Sequence, residues 1–530
     1  MEKYLSLILG VYLLISSPVL NAAGQPVGLW GRFETSVIKN NNYDNPFQDV
    51  ILNATFISPS KKTYNFFGFY DGNGISGQKG NIWKLRFMPN EVGMWSYKCS
   101  FSDGTAGKKG RFECSLTGAK PGPLRKDPID GRWLKFADGT RFYPRSYYAS
   151  EIFTGTSPYG ENIIGTFFGG TYKYNLCCTI FWQGRTLEQN GWNNLPYNGF
   201  YPTIDGDYTK LNLVAWRHVD KVLERLESHE TVWWNFDGFV PNVGGDMGAQ
   251  MLNFEAQKVY ARNVVARIGP YWNVIWNIAF EWDEQRCFGN NPAAVKRLAE
   301  YIKSIDPWKH FVTVHDEAYY TTGEDIVSQL GVDFPVLQSD MGRSSNSAAN
   351  SKKMQQFSDN WPVYAQEVCW EGTGKLNAEQ VRSGGWGVVL GGGILNYAEQ
   401  FGGPNSGRPE NFGDGSALPY IEIMFDFMES IPYYEMMPHN ELVSGGAICF
   451  ADIGRIYIIY VPPGNDSNDI ELKNVYSKDY KAVWFNPRSG QYSDITKGPA
   501  GDGRWLLPAR PSPGNDDWIV VVRKVQTANR

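Results

Sequence analysis

Between Trp133 and about residue 440, short apolar runs alternate with stretches of helical periodicity, and this alternation constrains the fold of the 530-residue chain more than any other feature. The runs are RFYPRSYY (141–148), YNLCCTIFW (174–182), TVWWNFDGF (231–239), NVIWNIAFE (273–281), HFVTVHDE (310–317), DFPVLQSD (333–340), WPVYAQE (361–367) and GVVLGGGILNYAEQ (387–400). Between them lie patterns such as KLNLVAWRHVDKVLERLESH, AQKVYARNVVARIG and AAVKRLAEYIKSID, whose apolar residues recur three and four apart, as on one face of a helix. Eight strands with intervening helices predict a (β/α)8 TIM barrel. An open doubly wound sheet is the competing arrangement, and the lack of a glycine-rich phosphate loop after the first strand disfavours it.

On both sides of this region the helical period disappears. From residue 24 to 118 the segments VILNATFISP, TYNFFGFYDG, IWKLRFMPN, GMWSYKCSFSD and GRFECSL predict a β-sandwich. Residues 119–132 gather Gly, Pro and charge and read as a linker, so the barrel is expected over 133–440. From 441 to 530 the segments GAICFAD, RIYIIYVPP, DIELKNV, YKAVWFNPRSGQY and DWIVVVRK predict a second all-β, sandwich-type domain. The first 23 residues, a short charged start and an apolar stretch ending in small residues at Ala22 and Ala23, suit a cleaved secretory signal. The competing reading is a membrane anchor, which Ser6, Gly10, Ser16 and Ser17 weaken. The expectation is therefore a secreted or periplasmic protein with no membrane attachment after cleavage.

A net charge of −5 without a basic patch argues against nucleic acid as a partner. The 19 Trp and 30 Tyr suit β-rich modules and sites that stack on sugar rings, although large aromatic cores account for most of them. Seven cysteines are too few for a disulfide scaffold. Cys99 and Cys114 flank a turn-rich segment and could face each other across a hairpin, whereas Cys177 and Cys178 point to opposite faces of a strand. With five histidines and no close Cys/His spacing, nothing calls for a metal site.

In such a barrel, chemistry sits at the carboxyl ends of the strands. The fourth run ends in Glu281 and the seventh in Glu367, and two carboxyls facing each other across a barrel mouth are what acid-assisted glycoside cleavage requires, with no cofactor. Glu281 is expected to be the proton donor, its pKa raised by the preceding IAF and by Trp282, and Glu367 the nucleophile, kept ionised by polar neighbours. A retaining pair would be separated by about 5 to 5.5 Å. Either glutamate could instead cap a strand and pair with Arg262 or Arg267. Asp283 and Glu284 are rival donors, more suited to hydrogen bonding from the loop.

NVIWNIAFE, DPWKHFVTVH and PVYAQEVCWEG together resemble the (β/α)8 glycoside hydrolases related to the apiosidase-like group, and AVWFNPRSGQY is similar to a domain described as a putative collagen-binding domain of a collagenase. The resemblance implies a fourth strand ending in the acid/base, a seventh carrying the nucleophile, and an N-terminal β-sandwich domain of unknown function. One departure concerns the residue before the acid/base, where many related barrels place an Asn for the sugar 2-hydroxyl; here it is Phe280, and Asn277 lies three positions earlier.

Further candidates for substrate contact are His315, Trp370, Glu371, Trp182, Trp233, Asp237, Asn277 and Tyr397, each also readable as barrel packing. Arg185, Arg286 and Arg408 lie in loops that could meet an anionic glycan. The sequence thus predicts a secreted retaining glycoside hydrolase acting on a plant or algal polysaccharide or its oligosaccharides. A carbohydrate- or matrix-binding protein that has lost catalysis is the alternative. A peptidase is excluded on chemistry, because neither an H-E-x-x-H helix nor a G-x-S-x-G elbow is present.

Overall fold

The computed structural model describes residues 26–149, 152–153, 162–180, 202–240, 253–283, 288–400, 415–512 and 516–525. At its centre eight parallel strands close into a barrel: β1 (Ser146–Tyr148), β2 (Leu176–Thr179), β3 (Val232–Asn235), β4 (Val274–Asn277), β5 (Val312–Asp316), β6 (Phe334–Gln338), β7 (Tyr364–Glu367) and β8 (Ile394–Gln400). The last returns to the first through Ser146↔Asn396 and Tyr147↔Tyr397, so the sheet is closed and the doubly wound alternative is gone. Every residue of β1 to β7 is buried, as expected where helices cover one face and a packed interior the other. Inside, Trp234 donates to Thr313 and meets Tyr364 edge-on, and Tyr364 joins Ser146 and Asn396 in a hydrogen-bonded cluster.

The surrounding helices are α1 (Leu213–Ser228), α2 (Phe254–Ile268), α3 (Pro292–Ile305), α4 (Gly323–Leu330), α5 (Ser347–Phe357), α6 (Ala378–Leu390) and α7 (Leu418–Glu429). The side chains of Asn212, Asn253, Asn291, Thr322, Asn346 and Asn377 cap the first six by accepting backbone N–H groups, each cap contributing about 1 kcal/mol. Two strand predictions were too long. GVVL closes α6 and β8 begins only at Ile394, after the turn of Gly391–Gly393. At the fourth strand the ladder stops at Asn277, because Asn277 Nδ2 donates to the Phe236 and Ala279 carbonyls and turns the chain out of the sheet.

The N-terminal region is a sandwich of a five-stranded and a three-stranded sheet around Phe33, Phe56, Phe87, Trp95 and Phe112. It is fastened to α1 and α2 by a buried ion network in which Arg86 and Arg267 share Asp220 and Arg267 also binds Asp71. The presumed linker is not a tether. Leu124–Lys126 pairs with Leu134–Phe136, and Arg125 donates to the Trp308 and Lys309 carbonyls that precede β5, so this strand packs on the amino-terminal end of the barrel. Cys99 and Cys114 do not face each other: Cys114 lies opposite Gly93, while Cys99 bonds to the backbone of Lys108. The C-terminal region has a six-stranded and a two-stranded sheet with a core of its own. Asp517, buried, ties it to α6 through Arg382 and holds Tyr460 and Arg488 within it. No helix among the described residues is long and apolar enough to cross a membrane.

Candidate active site

The carboxyl ends of β4 and β7 bear the two glutamates by different means. Beyond Asn277 the chain makes isolated bridges from Ala279 to Gly238 and Val240, and a Cβ on Gly238 would lie 2.4 Å from the Asn277 carbonyl oxygen, so only glycine permits this approach. Glu281 follows with φ 41°, a left-handed backbone that costs a non-glycine residue about 1 kcal/mol, and is clamped by Trp282 N–H donating to the His315 carbonyl on β5. Glu367 instead ends a regular strand. A β-bulge there sets Ala365 opposite Leu337 but Glu367 opposite Gln338, and the extra residue, Gln366, changes the face on which the following side chain emerges.

Glu367 is buried, and burial raises its carboxyl to about 7; the Lys375 ammonium, 3.9 Å away, pulls it down and the Glu317 carboxylate pushes it further up. No hydrogen bond reaches its carboxylate among the described residues. Polar neighbours do not hold Glu367 ionised as the sequence had suggested; burial favours its neutral form and one ammonium opposes that. The Trp282 indole is fully buried and donates to Asp316. Arg262 and Arg267, the candidate structural partners, are engaged elsewhere, with the Phe47 carbonyl and with Asp71 and Asp220.

Four other candidates lie on β5 or follow β3, β4 and β7. His315 is wholly buried between Phe236 and Phe280, and burial lowers it to about 3, so it is a neutral ring beside Gln366 and not a charged ligand. Trp370 stands next to Tyr148, ring centres 5.1 Å apart, with Lys375 over its face at 4.9 Å. Asp237, buried, shares with Glu367 an influence on the Cys178 thiol, which burial raises first and these two charges raise further. Asp283 accepts the backbone N–H groups of Glu317, Ala318 and Tyr319, so it braces the β5 loop, as its loop position had suggested.

Four expectations fail. Asn277 spends both amide hydrogens on backbone carbonyls and its oxygen on Thr313, leaving nothing for a sugar hydroxyl. Trp233 alternates with the inward Trp234, so it faces Trp216 of α1 and Tyr260 of α2 and donates to Thr179. Glu371 and Tyr397 bond to each other at 2.6 Å, and Glu371 also accepts the Ala417 N–H at the start of α7, so they form a helix cap behind the barrel wall. Trp182, Glu284, Arg185, Arg286 and Arg408 lie outside the described residues.

Sequence reasoning missed Glu317, Gln338, Asp316 and Lys375. Gln338 donates to Glu317, and Asp316, beside Trp282, is raised to about 7 by burial first and by the nearby Asp283 second. The signal for Lys375 was present: EGTGK places a lysine on a two-glycine turn directly after the seventh-strand motif. Among the described residues no cluster of His, Cys, Asp and Glu is placed to hold a metal ion.

Acids follow β4, end β5 and end β7 at the carboxyl end of the closed barrel, the end where such barrels carry their chemistry. Residues 179–397 match the family described as apiosidase-like, catalytic domain, between two further matched regions. Residues 26–102 match a domain of unknown function, DUF5060, and residues 438–523 match the putative collagen-binding domain of a collagenase. Among solved structures it is similar to a putative glycoside hydrolase from Bacteroides vulgatus ATCC 8482 (20% identity, TM-score 0.73, 94% of this chain and 100% of that one). A second relative is described only as a glycoside hydrolase (17% identity, TM-score 0.60, 77% and 98% of the two chains). A third is a glycoside hydrolase family 5 protein from Bacteroides vulgatus ATCC 8482 (16% identity, TM-score 0.58, 76% and 94%). At these identities the likeness establishes the fold. No curated protein matches the chain.

Proposed function

We propose that this protein is a secreted retaining glycoside hydrolase that cleaves a plant or algal polysaccharide, or its oligosaccharides, by double displacement. The observation that carries this reading is the placement of Glu281 and Glu367 after β4 and at the end of β7 of one closed barrel, the first on a strained backbone and the second buried without a hydrogen bond among the described residues. Glu281 protonates the glycosidic oxygen while the Glu367 carboxylate attacks the anomeric carbon, giving a glycosyl ester. Glu281, now a carboxylate, removes a proton from water, which attacks the same carbon and releases Glu367. Attack needs ionised Glu367, so the rise in kcat/KM with pH should centre near its value of about 7. Trp370 and Tyr148 supply aromatic faces of the kind that stack on sugar rings.

A screen of plant and algal polysaccharide fragments, with products identified, gives the substrate. With an activated form of that substrate, azide distinguishes the two roles. Glu367→Gly with azide should yield a glycosyl azide of inverted configuration, because azide attacks the substrate directly. Glu281→Ala should yield the retained anomer, because azide attacks the intermediate. Product NMR reads both; exchanged outcomes would exchange the roles, and unaltered turnover in both variants would move the chemistry to other residues.

A further inference from the structure

Glu367 differs from Asp283, Asp316 and Glu371. Asp283 accepts three backbone N–H groups, Asp316 accepts the Trp282 indole, and Glu371 accepts a tyrosine hydroxyl and a helix N–H. Glu367 has no such donor among the described residues, and the cation it faces, Lys375, stands at 3.9 Å, beyond hydrogen-bond reach. A hydrogen bond would stabilise the carboxylate but occupy a lone pair. A cation at that distance stabilises the charge and leaves the oxygen free to attack.

Lys375 is also held in place. Gly372 (φ 134°) and Gly374 (φ 73°) form the turn that presents it, closed by Lys375 N–H donating to Gly372 O and Gly372 N–H donating to Leu376 O. Its ammonium donates to the Met341 carbonyl and lies over the Trp370 ring. That carbonyl is aimed by three successive left-handed residues, Asp340, Met341 and Gly342 (φ 45°, 49° and 79°), a costly arrangement for the first two. We propose that Lys375 is a positioning residue that favours the ionised form of Glu367 for attack without hydrogen-bonding to it, and that it stabilises the same carboxylate again when the glycosyl ester breaks.

The inference rests on Glu367 being the nucleophile. Other charges face the pair: Glu317 after β5 opposes ionisation of Glu367, Glu367 and Asp237 after β3 both act on the buried Cys178 thiol of β2, and Arg343 and Asp340 after β6 act on Lys375 with opposite signs. His315 stays neutral. In the ester, Glu367 carries no charge and Lys375 has lost its counter-ion, which favours the step that regenerates the carboxylate.

The test uses the full chain labelled with 13C at the glutamate side-chain carboxyl, and the Glu367 signal is identified by its loss in Glu367→Gln. Lys375→Met should raise the Glu367 pKa by about one unit, and Lys375→Arg should return most of it, with circular dichroism confirming that both fold. On the substrate from the fragment screen, Lys375→Met should lower kcat/KM about tenfold at pH 6 and little at pH 9, where Glu367 is ionised in either protein. An unshifted carboxyl signal in Lys375→Met would overturn the inference whatever the kinetics. A shifted signal with an unmoved kinetic limb would leave the ion pair standing and overturn the nucleophile assignment instead. A loss of activity equal at all pH values would make Lys375 structural.

Discussion

Glu367 and Glu371 stand four residues apart in AQEVCWEG, and both are buried, yet their surroundings are opposite. Glu371 accepts the Tyr397 hydroxyl and the Ala417 N–H at the positive end of α7, so its charge is satisfied and its lone pairs are taken. Glu367 meets no donor among the described residues and is compensated by one ammonium at 3.9 Å. A buried carboxylate left in that state weakens the fold. Its presence at a strand end of the barrel mouth therefore points to chemistry, whereas saturation at Glu371 points to architecture.

The largest expected effect breaks the first half of this comparison. Glu367→Gly should reduce turnover by about 10^4-fold or more with secondary structure unchanged, as for removal of a nucleophile. Glu371→Ala should do its damage to stability instead, about 3 kcal/mol in urea unfolding, because a buried hydroxyl and a helix N–H lose their acceptor. A Glu371 variant that lost turnover without losing stability would erase the distinction.

Next in size is a pH-dependent gain. The folded value for Glu367, about 7, lies above its ordinary 4.5, so the folded state binds the extra proton between these values. Its contribution to stability is fully present below 4.5 and is lost as pH rises through 7. Glu367→Gln should therefore match the wild type at pH 4 and exceed it by about 3 kcal/mol at pH 8, measured by urea unfolding at the two pH values. Asp316, raised to about 7 from 3.8, behaves with the same sign, so wild-type Tm should decline over this window by more than Glu367 alone explains. The smallest effect concerns Glu281. Replacement by Gly removes the left-handed penalty and should give a protein about 1 kcal/mol more stable than Glu281→Ala, because alanine keeps the Cβ that makes φ 41° costly. Equal Tm values would mean that the strain is not borne there.

Strand and helix periodicity made the barrel legible, because a strand covered on both faces is buried throughout and mostly apolar, and β2 to β7 are buried at every position with polar residues gathered toward their carboxyl ends. The two glutamates were legible because each ends such a run. The facing of side chains near the mouth was not. Glu367 and Glu371 are an even number of residues apart and would share a face on an unbroken strand, but β7 stops at Glu367 and a separate strand, Trp370–Gly372, pairs with the end of β8. Asn277 looked like a recognition residue, yet its amide is consumed in turning the chain out of β4. Trp233 and Trp234 differ by one position and so face opposite sides, which composition cannot resolve. Lys375 reaches Glu367 only through a turn whose path depends on two positive-φ glycines.

The central claim is that Glu367 forms a covalent bond to the sugar, and trapping that bond tests it most directly. Glu281→Ala, incubated with an activated glycoside of the substrate identified by the fragment screen, should accumulate the intermediate, since departure of a good leaving group needs no acid while hydrolysis of the ester lacks its base. Digestion and mass spectrometry should then find the added sugar mass on the peptide containing Glu367. The same mass on a peptide carrying Glu317 or Asp237, or no adduct despite a burst of leaving group, would contradict the assignment.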